Sequence, residues 1–140
     1  MSSLINLAVV DDHILFRKGL RALISGFEGM TVLFEAGDGQ ELLERLDQGT
    51  IPQVVLMDLQ MPVLDGLQTM RLLRAQYPQV RVVIISMHDE PELMDSLLAE
   101  GANGYLLKNA NPEEVRGAIL AAAGNIVGRP ASAPRALPVL

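Results

Sequence analysis

Four short apolar runs in this 140-residue chain each end in a side chain that can act on an anion or a cation. Ile5 to Val10 leads into Asp11-Asp12, and Val54 to Met57 leads into Asp58. Val80 to Ile85, interrupted only by Arg81, leads into Ser86, and Gly104 to Leu107 leads into Lys108. Three carboxylates brought together repel one another unless a cation joins them. Oxygen ligands favour Mg²⁺ or a similar hard divalent ion. A lysine opposite the acids supplies a positive charge for an anion. A serine hydroxyl can donate to an anionic oxygen. A carboxylate nucleophile, a divalent cation, a lysine and a hydroxyl together are what phosphoryl transfer to aspartate requires.

These residues act together only if one edge of one sheet presents them. The run Val54-Val55-Leu56-Met57-Asp58, stopped by Pro62, reads as a strand buried on both faces, as in a parallel sheet. Leu15, Leu20, Leu23, Ile24 and Phe27 recur at helical spacing and predict a first helix over 14–27. Thr31 to Ala36 reads as a second strand. Asp38 with Glu41 predicts a capping box opening a helix that Gly49 closes. Asp65-Gly66 starts a third helix, with Asp65 as its cap. Pro91 opens a fourth and Gly101 ends it, and Asn111-Pro112-Glu113-Glu114 opens a fifth. Five strand–helix repeats predict an α/β open parallel five-stranded sheet, (βα)5, with helices on both faces. A closed eight-fold barrel needs about 200 residues or more. Residues 1–125 are expected to form this domain, and 126–140 a Pro/Ala-rich linker or tail.

Composition narrows the function classes. The chain has no cysteine, which excludes disulfides, thiolate metal sites and thiol catalysis. A formal charge of −6 and an aromatic fraction of 4% argue against this domain gripping a nucleic-acid backbone or stacking bases. No apolar stretch approaches the roughly 18 residues of a membrane span, and no secretory leader is visible, so a cytoplasmic protein without a membrane partner is expected.

Asp11-Asp12, the run Asp58-Leu59-Gln60-Met61-Pro62-Val63-Leu64-Asp65-Gly66, Ser86 and Lys108 together resemble the receiver domain of two-component response regulators. The resemblance covers about residues 4 to 125. Val9-Val10-Asp11-Asp12-His13, Ser86-Met87-His88-Asp89 and Gly104-Tyr105-Leu106-Leu107-Lys108 are most similar to the NarL/FixJ-like branch. The resemblance implies a flavodoxin/CheY-like fold with Asp58 as phospho-acceptor from a sensor histidine kinase. It implies Mg²⁺ (or Mn²⁺) on Asp11, Asp12, Asp58 and the Gln60 backbone carbonyl. Lys108 and Ser86 would bind phosphoryl oxygens, and Tyr105 would follow Ser86 as a switch. It implies a signalling protein rather than an enzyme, homodimerisation on phosphorylation, and transcriptional output through a C-terminal DNA-binding domain beyond this chain. Two positions depart from the family's pattern. Asn109 stands where proline is common, and Met87 stands where a small residue is common and is expected to crowd the phosphoryl pocket.

Each residue also has a plainer reading. An isolated Asp-Asp pair is more often a helix cap, a lone lysine is more often solvated, and Tyr105 could be an ordinary half-buried strand aromatic. Their joint placement favours the site. His13 and His88 lack a metal-ligand spacing and are not expected to ligate. An aspartyl-phosphate hydrolase is disfavoured because Gln60 stands where a general acid is needed, two residues after Asp58. A flavodoxin-like cofactor binder is disfavoured because Asp11-Asp12 would repel a phosphate after the first strand. A stand-alone or phosphorylation-independent interaction module is the remaining alternative.

Overall fold

In a computed structural model, which describes residues 4–124, the apolar runs pair into one parallel sheet. The order is β1 (Ile5–Val10), α1 (Ile14–Ser25), β2 (Met30–Ala36), α2 (Gly39–Asp47), β3 (Val54–Asp58), α3 (Gly66–Gln76), β4 (Arg81–Ser86), α4 (Pro91–Glu100), β5 (Gly104–Leu107) and α5 (Pro112–Ala123). The strands lie in the order β2-β1-β3-β4-β5. This is the expected (βα)5 sheet. The chain winds outward from β1 to β2, then crosses back to β3 and continues the other way. At such a switch point the loops beyond the carboxyl ends of β1 and β3 diverge and leave a crevice.

All five residues of β3 are buried. Alternation along the strand divides them between two cores. Val55 and Met57 join Val10, Ile84 and Tyr105 under α2, α3 and α4. Val54 and Leu56 join Leu7, Val9 and Leu106 against α1 and α5. A strand covered on both faces has little freedom to slip, since a shift of one residue would exchange its two cores. Asp58 is therefore fixed in register, opposite Ile85 of β4.

Local sequence sets the helix starts. Asp65 accepts the Gln68 backbone N–H at 2.8 Å, and the Gln68 side chain accepts the Asp65 N–H at 3.0 Å, a complete capping box. Asn111 and Glu114 make the same reciprocal pair. The box expected at Asp38 is displaced. Asp38 does cap Glu41, but the Glu41 carboxylate takes the Gly37 N–H at 2.8 Å. Other boundaries move by a residue or two. The first helix ends at Ser25 rather than Phe27, and β2 begins at Met30. β4 runs Arg81–Ser86 because the Val80 N–H turns back to the Tyr77 carbonyl. Gly66 begins α3 where the helix meets the end of β3. A Cβ there would stand 2.6 Å from the Asp58 carbonyl oxygen, so only glycine lets α3 approach so closely. The tail expected over 126–140 lies outside the described residues. Among those described, no helix is long and apolar enough to cross a membrane.

The loop between β3 and α3 stores strain. Val63 has φ +68°, in the region β-branched residues avoid, and a 2.7 Å bond from the Leu64 N–H to the Pro62 carbonyl closes a three-residue turn around it. Its side chain is 77% exposed, so it returns little packing energy. Val63→Gly is expected to stabilise the protein by about 1 kcal/mol, the relieved strain less glycine's larger unfolded-state entropy. A rise in the urea midpoint at constant m value checks this.

Candidate functional site

The parallel sheet delivers the expected side chains to one edge. The Asp11 N–H donates to the Ala36 carbonyl at the end of β2, so the backbone holds Asp11 where β1 stops. The Leu59 N–H donates to Ile85, and the Lys108 N–H donates to Ser86. With β1 paired to β3 through Val10 and Met57, the ends of β1, β3, β4 and β5 lie side by side. Asp11 and Asp58 are buried, at 2% and 5% exposure, whereas Asp12 is exposed.

Lys108 joins them. Its Nζ lies 3.0 Å from Asp11 Oδ2 and 3.3 Å from Asp58 Oδ2. It also rests 4.7 Å from the centroid of the Phe16 ring, which steers the ammonium toward the acids. Burial raises the Asp58 carboxyl above its ordinary range, and the charge of Asp11 adds to this. The Lys108 charge and the Gln60 backbone N–H oppose the rise without cancelling it. Burial alone would lower the Lys108 ammonium. Its close pairing with Asp11 and the charge of Asp58 outweigh burial and raise it.

Carboxylate oxygens of Asp11, Asp12 and Asp58, with a ring nitrogen of His13, all fall within 4.8 Å of one another. Asp11 Oδ2 is buried and accepts no hydrogen bond, though it faces the Lys108 charge. An oxygen-rich donor set with two buried carboxylates and a single lysine between them fits a divalent cation. Gln60 is exposed two residues beyond Asp58. His13 is the residue that sequence reasoning set aside. Its Nδ1 stands 3.1 Å from Asp11 Oδ1 and 3.5 Å from Lys108 Nζ. Its position directly after Asp11-Asp12, before α1, was the available signal.

Ser86 and Tyr105 are linked through one backbone segment. Ser86 Oγ accepts the His88 N–H at 3.0 Å, and the Tyr105 hydroxyl donates to the His88 carbonyl at 2.7 Å. Ser86 is 2% exposed, and Tyr105 is fully buried rather than half-buried. Met87 stands 78% exposed and shares a surface hollow with Lys108, so it does not fill the interior. No peptide bond among the described residues is cis, the one before Asn109 included.

Behind the acids, Arg17 ties α1 to two elements. Its guanidinium donates to the Asp11 carbonyl at 2.7 Å and to Glu35 of β2 at 2.8 Å. Lys18 and Arg21 also reach Glu35. Burial pushes the Glu35 carboxyl up, but the three cations outweigh it and hold it at about 2, against an ordinary 4.5. The charged carboxylate therefore stabilises the fold above its ordinary value, and that contribution is lost as pH falls toward 2. Glu35→Gln is expected to cost on the order of 2 kcal/mol at pH 7, discounted for the exposed Lys18 and Arg21. The deficit should vanish near the acid end. Denaturant curves from neutral pH downward check this.

The comparisons with known proteins agree with this fold. The response regulator receiver domain family model matches residues 7–120. The transcriptional regulatory protein MctR of Rhizobium johnstonii is 41% identical over 120 residues, covering 86% of this chain and 56% of MctR. The nitrate/nitrite response regulator NarL of Escherichia coli is 40% identical over 123 residues, covering 85% and 55%. The chain thus spans about half the length of the curated relatives it matches. The receiver domain of the Mycobacterium tuberculosis NarL superposes with a TM-score of 0.81 at 37% identity, covering 87% of this chain and 98% of that one. A LuxR-family response regulator from Aurantimonas superposes with a TM-score of 0.87 at 30% identity, covering 96% of each. With the acids, the lysine and the serine gathered at the switch point of a (βα)5 sheet, this chain belongs to the response regulator receiver domain family, among relatives of the NarL/LuxR type.

Proposed function

We propose that this chain is a phosphorylation switch whose acceptor is Asp58, charged by a phosphohistidine of a sensor kinase. The observation that carries this is the buried Asp58 carboxylate 3.3 Å from Lys108 Nζ, beside Asp11 and Asp12. A carboxylate oxygen of Asp58 attacks phosphorus as the P–N bond breaks. The electron pair leaves on the imidazole nitrogen, and an acyl phosphate remains. Lys108 is placed to meet a phosphoryl oxygen with its charge, and the Ser86 hydroxyl would donate its hydrogen to another. Asp11, Asp12, Asp58 and the Gln60 carbonyl would hold Mg²⁺ or Mn²⁺, which when bound neutralises the acids against the incoming anion.

The output is a population shift. When Ser86 turns to a phosphoryl oxygen it gives up the His88 N–H, and the same segment holds the Tyr105 hydroxyl. A rearrangement at β4 is thereby passed to β5 and the neighbouring helices. Control of transcription is the readout that the name of MctR supports; dimerisation and a DNA-binding domain, in a cytoplasmic regulator, are what the resemblance to the receiver family implies. The chain is a switch rather than a turnover enzyme, because Gln60 offers no acid to protonate a leaving group.

Beryllofluoride, an analogue of a phosphoryl group on a carboxylate, tests the reading. It should shift the backbone NMR resonances of Asp58, Ser86, His88, Tyr105 and Lys108 only when Mg²⁺ is present. Shifts confined to other residues, or independent of Mg²⁺, would contradict it.

A further inference from the structure

We propose that His13 supplies a nitrogen ligand to the acid cluster, so that the site takes borderline divalent cations such as Zn²⁺ or Co²⁺ through that imidazole in competition with Mg²⁺. The inference rests on the reading of the cluster as a divalent site and assigns it a ligand beyond the three carboxylates. His13 Nδ1 lies 3.1 Å from Asp11 Oδ1, 3.6 Å from Asp12 Oδ1 and 4.0 Å from Asp58 Oδ2. Zinc–nitrogen and zinc–oxygen bonds of about 2.1 Å place neighbouring ligand atoms about 3.0 Å apart in an octahedron and about 3.4 Å apart in a tetrahedron. Two of the three separations already fall near that range, and the third closes with a small rotation of an exposed ring. His13 is 67% exposed in its side chain, so the rotation meets little resistance.

The ring's surroundings point the same way. Nδ1 faces Asp11 Oδ1, which only accepts, and Lys108 Nζ at 3.5 Å, which only donates. A cation accepting the Nδ1 lone pair would take the place of the ring's hydrogen bond to Asp11 and draw in the same carboxylate. The other oxygen of the buried Asp11 carboxylate, Oδ2, pairs with Lys108 Nζ at 3.0 Å, which leaves Oδ1 turned to the ring. Imidazole suits Zn²⁺ and Co²⁺, whereas Mg²⁺ prefers oxygen. The nitrogen therefore discriminates between the two classes of ion.

Isothermal titration of the chain with Zn²⁺ and separately with Mg²⁺, in wild type, His13→Ala and His88→Ala, tests the inference. His13→Ala should weaken Zn²⁺ by about tenfold to a hundredfold and leave Mg²⁺ unchanged. His88→Ala, the other histidine of the chain, should leave both unchanged. In the wild type, Zn²⁺ should shift the ring nitrogen resonance of His13 and not that of His88. Equal Zn²⁺ affinity in wild type and His13→Ala, or a shift at His88 alone, would overturn the inference. Failure of Mg²⁺ to bind, with Zn²⁺ still dependent on His13, would overturn the magnesium reading of the site while this one stood.

Discussion

Lys108→Met should lower the stability of the metal-free protein by about 3 kcal/mol at pH 7, the low end of what breaking a buried ion pair costs. The ammonium separates two buried carboxylates, at 3.0 Å from Asp11 and 3.3 Å from Asp58. Methionine keeps an unbranched apolar stem but removes the charge, and with it the ammonium over Phe16, which leaves the acids to repel each other. The loss should shrink at acid pH, where the carboxyls take up protons. It should also shrink with added Mg²⁺, which replaces the missing charge. At the alkaline end the sign is set by the raised Lys108 ammonium. Its contribution is complete below the ordinary lysine value and disappears as pH climbs through the raised one. The variant should lack that alkaline loss. Phosphorylation by acetyl phosphate should slow by about a hundredfold or more, the usual cost of losing one donor to a developing charge. Melting curves in chelator and in Mg²⁺ separate the two effects.

Asp58→Asn should abolish phosphoryl acceptance and stabilise the metal-free fold. Burial and the Asp11 charge raise the Asp58 carboxyl, so over the interval between its ordinary and raised values the folded protein holds a proton that the unfolded chain has released. Stability therefore falls as pH rises through that interval. Asparagine removes the charge and the fall with it. The midpoint of thermal unfolding should rise by a few degrees at neutral pH in chelator, and the gain should disappear in Mg²⁺, which favours the ionised wild type. An inactive variant that is more stable than its parent separates a functional acid from a structural one. A cap or a structural ion-pair residue would lose stability on the same change.

The sheet was legible because β3 is buried on both faces and its run of apolar residues breaks at Asp58. Asp65 and Asn111 were legible as caps because capping is a local interaction, settled within four residues. Asp38 was only half legible, since Glu41 can reach either of two neighbouring N–H groups and chose Gly37. Placing Asp11, Asp12, Asp58, Ser86 and Lys108 on one edge followed from parallel pairing alone. What did not follow was anything set by side-chain conformation across elements. The Phe16 ring beneath Lys108, the three cations on Glu35 and the place of His13 among the acids each join residues from different elements or depend on a rotamer. The plainer reading of Tyr105, a half-buried strand aromatic, differs from what packing of β5 under α4 does, which is to cover it wholly. Met87 was expected to crowd the pocket, yet it projects outward at its rim.

The central claim is Mg²⁺-dependent phosphorylation of one carboxylate. Incubation with acetyl phosphate, with Mg²⁺ and with chelator, followed by intact mass and borohydride trapping of the acyl phosphate, tests it most directly. The account predicts one phosphoryl group per chain, formed only with Mg²⁺, mapped to Asp58 and absent from Asp58→Asn. Labelling at another residue, labelling in chelator, or none under saturating donor would contradict it.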